Sequence, residues 1–149
     1  MEELEILIKY HDNGEGEPLE KIERLAIGDW IDLRAAETVH LHSGDYGIIP
    51  LGVSMKLPEG YEAHIVPRSS TFKKWHILQT NSMGVVDNSY SGNDDIWGMP
   101  VLAIVDTTVN KNDRICQFRI VERMPHVVFT EVDHLDGANR GGFGSTGTK

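Results

Sequence analysis

The stretch Asn112-Asp113-Arg114-Ile115-Cys116-Gln117-Phe118-Arg119-Ile120-Val121 sets a polar turn directly ahead of an apolar run. Read locally, it is a turn followed by a strand. Gln117 would share a face with Ile115, and a polar group on that face asks for a partner in the protein or in a ligand. Comparable runs recur at Leu4, Ile6 and Ile8, at Tyr61 to Val66, at Val101 to Val105 and at Val127 to Val132. Turn residues separate them, as at His11-Asp12-Asn13-Gly14 and Pro58-Glu59-Gly60. This spacing predicts an all-β sandwich or barrel. One helical turn is expected where Ser69, Ser70 and Thr71 precede Phe72-Lys73-Lys74-Trp75, with the hydroxyl residues as its cap. Pro18 to Ala26 is expected to be a short helix or a loop.

The chain has 149 residues, enough for one domain with a core and too few for two ordinary ones. No apolar run approaches the ~20 residues that span a bilayer, and the first residues are acidic rather than signal-like. A soluble cytoplasmic protein with no membrane partner is therefore expected. The net charge of −9 argues against a nucleic-acid surface, which relies on lysine and arginine against phosphates. A polyanionic small ligand would instead need a local pocket of arginine and backbone N–H groups. The single cysteine, Cys116, lies among apolar neighbours and reads as a packed thiol. From Gly137 onward the composition turns to Gly, Ser, Thr and Asn around one aromatic, Phe143. A domain over residues 1–136 with a flexible arm over 137–149 follows.

Several segments offer chemistry. Pro67-Arg68-Ser69-Ser70 puts a guanidinium and two hydroxyls before a helix start, which suits a phosphate and equally suits plain capping. Gly84-Val85-Val86-Asp87-Asn88-Ser89-Tyr90 places a carboxylate at a strand end, where it activates water or only makes a hairpin turn. Asp113 and Arg114 pair with each other or with neighbours. His40 and His42 share a strand face without a third ligand at a useful spacing, so no protein-ligated metal is assigned.

The order of these segments is more specific than any one of them. Gly28 to Ala36 (GDWIDLRAA), Pro67 to Thr71 (PRSST), Gly84 to Gly92 (GVVDNSYSG), Asn112 to Phe118 (NDRICQF) and Arg140 to Gly147 (RGGFGSTG) resemble the five motifs of the trimeric dUTPase family. The resemblance implies a distorted jelly-roll-like β-barrel with one short helix and a C-terminal arm. It also implies Mg²⁺-dependent hydrolysis of dUTP to dUMP and pyrophosphate, which keeps uracil out of DNA and supplies dUMP for thymidylate synthesis. Three active sites would lie at the interfaces of a homotrimer, with Mg²⁺ held by substrate phosphates and water.

By the same resemblance, Asp87 is the base that activates water, and Tyr90 packs on the deoxyribose and excludes a 2′-OH. Asn81 and the hairpin backbone through Gly84, Val85 and Val86 read uracil. Arg68, Ser69, Ser70 and Gln117 hold phosphates, and Asp32 supports the metal–phosphate end. Arg140, Phe143, Gly144, Ser145 and Thr146 form the lid. The chain departs from the family at Trp30-Ile31 before Asp32, at Ser91 for a common Arg, at Asn93 for a common acid and at Asn112 for a common Gly. The related dCTP deaminases need a glutamate soon after the hairpin, and none follows Gly92 before Glu122. A second role in contacting a regulatory protein stays open, with no partner indicated.

Overall fold

The computed structural model describes residues 3–24 and 27–143. The described residues form β1 (Leu7–Tyr10), β2 (Ile31–Arg34), β3 (Val39–Leu41), β4 (Tyr46–Pro50), β5 (Val53–Lys56), β6 (Tyr61–Pro67), α1 (Thr71–Trp75), β7 (Ile77–Gln79), β8 (Gly84–Val86), β9 (Gly98–Ala103), β10 (Thr107–Val109) and β11 (Arg114–Glu122). The strands pair as β1-β5, β10-β3, β2-β11-β6-β8 and β4-β9-β7, antiparallel throughout. These ladders wrap one core in a jelly-roll-like, nearly all-β arrangement. No helix among the described residues is long and apolar enough to cross a membrane.

Alternation drives the packing. In β9, Met99, Val101 and Ala103 are buried while Gly98, Pro100 and Leu102 between them are only half-buried. In β11, Cys116 and Phe118 are buried, and Phe118 meets Trp97 edge-on at 5.4 Å between ring centroids. A register shift between Arg114 and Cys116 breaks the alternation, and Ile115 is buried beside Cys116. Gln117 therefore parts from Ile115 and stays half-buried, its Nε2 donating to the Pro67 carbonyl at 3.2 Å.

Two backbone positions show what the turns require. Gly52 has φ +67°, and a Cβ there would lie 2.5 Å from Leu19 Cδ2 and 2.8 Å from Ala36 Cβ. Asn112 adopts φ 75°, a conformation that Asn tolerates better than most side chains. Its amide also does what glycine cannot. Oδ1 accepts from Glu20 N at 2.9 Å, and Nδ2 donates to Pro18 O at 3.1 Å.

The same kind of capture explains why residues 18–24 form no helix. Leu19 N donates to Asp12 Oδ2 at 2.9 Å and Ile22 N to the Tyr10 hydroxyl at 3.0 Å, so side chains take the donors that a helix would use. Leu25 and Ala26 lie outside the described residues. The acidic N-terminal loop is anchored by Lys111, whose Nζ donates to Asp12 Oδ1 at 2.6 Å, Asn13 Oδ1 at 3.0 Å and Glu15 O at 2.7 Å.

Three other expectations change. The first strand begins at Leu7, three residues after the apolar Leu4. Val127 to Val132 form no strand, and Val128 and Phe129 are 74% and 93% exposed, because no strand among the described residues pairs with them. Ser70 takes the N-cap position without a side-chain capping bond. Thr71 does the anchoring instead, its hydroxyl accepting from Arg68 N at 2.9 Å and donating to Ile115 O at 2.8 Å.

Phe118 is 2% exposed at the centre of this packing. Phe118→Ala is expected to lower unfolding free energy by about 3–5 kcal/mol, measured by urea denaturation followed by circular dichroism.

Candidate active site

The turn after β7 and the strand β8 wall a cavity of about 400 Å³. Asn81, Gly84, Val85, Val86, Asp87 and Tyr90 all line it. Sequence reasoning missed the rest of the wall, which includes Ile65, Ser89, Ile96 and Trp97. Trp97 belongs there because its backbone bridges two core segments, donating to Val53 O at 2.8 Å and accepting from Leu51 N at 2.9 Å. Tyr90 is fixed across the mouth by its hydroxyl, which donates to Ile96 O at 3.1 Å. A second cavity of about 490 Å³ is lined by Glu15, Glu17 and Glu37. Three carboxylates there oppose a polyphosphate, so the smaller cavity is the candidate site.

Asp87 follows β8 directly and opens an Asx turn. The Ser89 hydroxyl donates to Asp87 Oδ1, and the Ser89 backbone N–H donates to the same oxygen at 2.8 Å. These two bonds hold the Asp87 carboxyl below the usual carboxylate range, the hydroxyl contributing most. Asn88, the next residue, donates its amide to the Leu57 carbonyl and ties the turn to the end of β5. The spacing Asp-x-Ser was the available signal for Ser89.

The residues expected to hold phosphates form a separate group. Asp32 bridges two guanidiniums, with Oδ1 3.1 Å from Arg68 Nε and Oδ2 3.5 Å from Arg114 Nη1. Arg68 Nη1 also donates to the Arg114 carbonyl at 3.1 Å. Gln117 is the cross-strand partner of Asp32 on β2 and of Val66 on β6. Arg114 thus reaches Asp32 and not its neighbour. Asp113 instead accepts from Asn110 N at 2.8 Å within its own turn.

None of Asp32, Arg68 or Gln117 lines the hairpin cavity, although all lie on or beside the sheet that carries β8. Arg140 and Phe143 are exposed in the arm, while Gly144, Ser145 and Thr146 lie outside the described residues. His40 bonds Thr108 Oγ1 at 2.9 Å, and His42 sits 3.9 Å from Asp106 Oδ1. Among the described residues, no three His, Cys, Asp or Glu side chains are grouped to hold a metal.

These features define a nearly all-β domain with a hairpin cleft and, apart from it on the same sheet, a row carrying Asp32, Arg68 and Arg114. The chain belongs to the dUTPase family, whose sequence profile matches residues 30–147. It is 55% identical over 146 residues to the SPbeta prophage-derived deoxyuridine 5′-triphosphate nucleotidohydrolase YosS of Bacillus subtilis, covering 98% of this chain and 100% of that protein. It is 40% identical over 118 residues to the deoxyuridine 5′-triphosphate nucleotidohydrolase of Leifsonia xyli, covering 78% of this chain and 77% of that one. The fold is shared with the dUTPase of Staphylococcus bacteriophage 80alpha solved with dUpNHpp, at TM-score 0.76 and 21% identity over 97% of this chain and 99% of that chain. It is also shared with the Streptococcus mutans dUTPase, at TM-score 0.70 and 23% identity over 81% and 98%.

Because the Ser89 hydroxyl is the main cause of the depressed Asp87 value, Ser89→Ala should move the Asp87 titration up toward the usual range. As pH falls, the carboxylate of the variant is then lost at a higher pH than in the wild type. NMR titration of the Asp87 carboxyl carbon checks the direction.

Proposed function

We propose that this protein hydrolyses dUTP to dUMP and pyrophosphate, with Mg²⁺ carried on the triphosphate and with sites shared among three chains. The observation that carries this reading is the hairpin cleft, in which Asn81, Asp87 and Tyr90 converge on a space of nucleoside size. The backbone and Asn81 take the base, and the Tyr90 ring lies against the sugar. Arg68, Gln117 and the Ser70 hydroxyl, which makes no capping bond, offer donors to phosphate oxygens.

Asp87 accepts the proton of a water whose oxygen bonds to the α-phosphorus, and the bond from that phosphorus to the pyrophosphate oxygen breaks. With Oδ1 committed to Ser89, Oδ2 is the oxygen left to take the proton. A carboxylate held below its usual range stays ionised at neutral pH but is a weak base. Alignment of the water therefore supplies much of the rate. The described residues hold no cluster of three metal ligands, and the Asp32 carboxylate is engaged by Arg68 and Arg114. This donor set fits an ion carried on the triphosphate and its waters, which would neutralise charge developing on the phosphates. Clearing dUTP keeps uracil out of DNA and supplies dUMP for thymidylate synthesis.

Two features support the shared site. The cleft and the arginine row are separate within one chain, and the segment after β11 exposes Met124, Val128, Phe129 and Leu135, apolar surface that suits a neighbouring subunit. Arg140 and Phe143 then reach a site as a closing arm, Arg140 pairing with phosphate and Phe143 stacking on the base.

Pyrophosphate release assayed with dUTP, dCTP, dTTP and UTP should show dUTP alone turned over efficiently in Mg²⁺. Asp87→Asn should lose about 10²–10⁴-fold in kcat while still binding nucleotide. Equal turnover by that variant rejects the assignment. Truncation before Arg140 should leave a three-chain mass by light scattering and cut kcat severely, since the lost contacts form mainly in the closed state. Wild-type kcat in the truncated protein rejects the closing arm.

A further inference from the structure

Uracil and cytosine differ at one ring edge by polarity. Uracil presents an O4 acceptor, and cytosine presents an N4 amino donor. A side-chain amide can read that difference only when its orientation is held, because the O and NH₂ ends of an amide are nearly the same shape. Asn81 is such an amide in the cleft wall. Its orientation is determined one residue further from the ligand.

Gln79 closes β7, and its Nε2 lies 3.0 Å from the Ile65 carbonyl oxygen and 2.9 Å from Asn81 Oδ1. The Ile65 carbonyl is an acceptor under every condition, so the Gln79 atom facing it must be the NH₂ group. The Gln79 oxygen, on the other side, is buried without a hydrogen-bond partner, so the Ile65 carbonyl alone sets the flip. With one N–H on Ile65, the other meets Asn81, which must answer with its oxygen. The Asn81 NH₂ group is left on the other side, 3.7 Å from where a Cβ on Gly84 would sit in the cleft wall. The polarity of a backbone carbonyl is thereby relayed through two amides to the ligand.

We propose that Gln79 sets base selectivity as a positioning residue, holding Asn81 with its NH₂ toward the ligand so that O4 is accepted and a 4-amino group is refused. This rests on the reading of the cleft as the uracil site. A refused base leaves two donors face to face, and an unpaired buried donor is costly. The 5-methyl of thymine does not change O4, so exclusion of dTTP is a matter of space and does not involve Gln79.

The test is kcat/KM for dUTP, dCTP and dTTP in Gln79→Leu, Gln79→Glu and Asn81→Ala, each checked for wild-type melting. Gln79→Leu should reduce the preference for dUTP over dCTP about tenfold, mainly through KM for dUTP, and leave the preference over dTTP unchanged. Gln79→Glu keeps the shape but presents an acceptor to Asn81, turning the Asn81 oxygen to the ligand, and should reduce the dUTP/dCTP preference further. A wild-type dUTP/dCTP ratio in both Gln79 variants overturns the proposal, as does an equal fall in both preferences, which marks a merely structural residue. Asn81→Ala separates the two levels. If it leaves the dUTP/dCTP ratio unchanged, the cleft does not read the base through Asn81 and the underlying reading fails. If it alters the ratio while the Gln79 variants do not, only the relay fails.

Discussion

The double pairing of β11 is the constraint on which the rest depends. It is the longest strand, and it is hydrogen-bonded on one edge to β2 and on the other to β6 through seven residue pairs. Cys116 and Phe118 point inward from it while Gln117 lies in a row between Asp32 and Val66. A slip of one residue in either ladder would exchange those faces, placing an amide in the core and an aromatic ring outside. Burial thus enforces the register, and the register aligns the polar row. The carbonyl of Ile115 extends the control further, since it receives the Thr71 hydroxyl that also holds Arg68 N.

Electrostatics completes what pairing begins. Arg68 donates to the main-chain carbonyl of Arg114, and both guanidiniums converge on one carboxylate, an arrangement of like charges that needs a counter-charge. Asp32 supplies it from the adjacent strand, one carboxylate oxygen to each guanidinium. The result keeps an excess positive charge on one small area of a protein whose net charge is −9. An anion therefore meets a local attraction that the overall charge opposes. On the hairpin side the logic is different: Asn88, Gln79 and Ser89 each spend a polar contact on fixing the direction of something else.

Much of this was legible in the sequence. Turn residues bracketed Tyr61 to Val66 and Ile115 to Val121, and both are strands. Asp87, Asn81 and Tyr90, assigned by motif order, share one cleft. What was hidden depended on distant partners. The donors of residues 18–24 are taken partly by Asn112, over 90 positions away, and no local periodicity reports that. The bulge at Ile115 defeats an argument built on a strict period of two. Val127 to Val132 carries a strand-like apolar pattern, but a strand needs another strand, and the described residues offer none to that segment. Trp97 carried no local signal for its place in the cleft wall, because that place depends on what stands beside it.

Cys116 carries one more consequence. It is wholly buried in the central strand, and burial, with Asp32 nearby, pushes its thiol well above the usual range. A thiol reagent has nothing to attack while β11 stays paired on both sides. Fraying of the termini or movement of the arm does not uncover it. Labelling of this one sulfur therefore counts only those openings in which the whole central sheet comes apart, giving the molecule a built-in clock for its global unfolding.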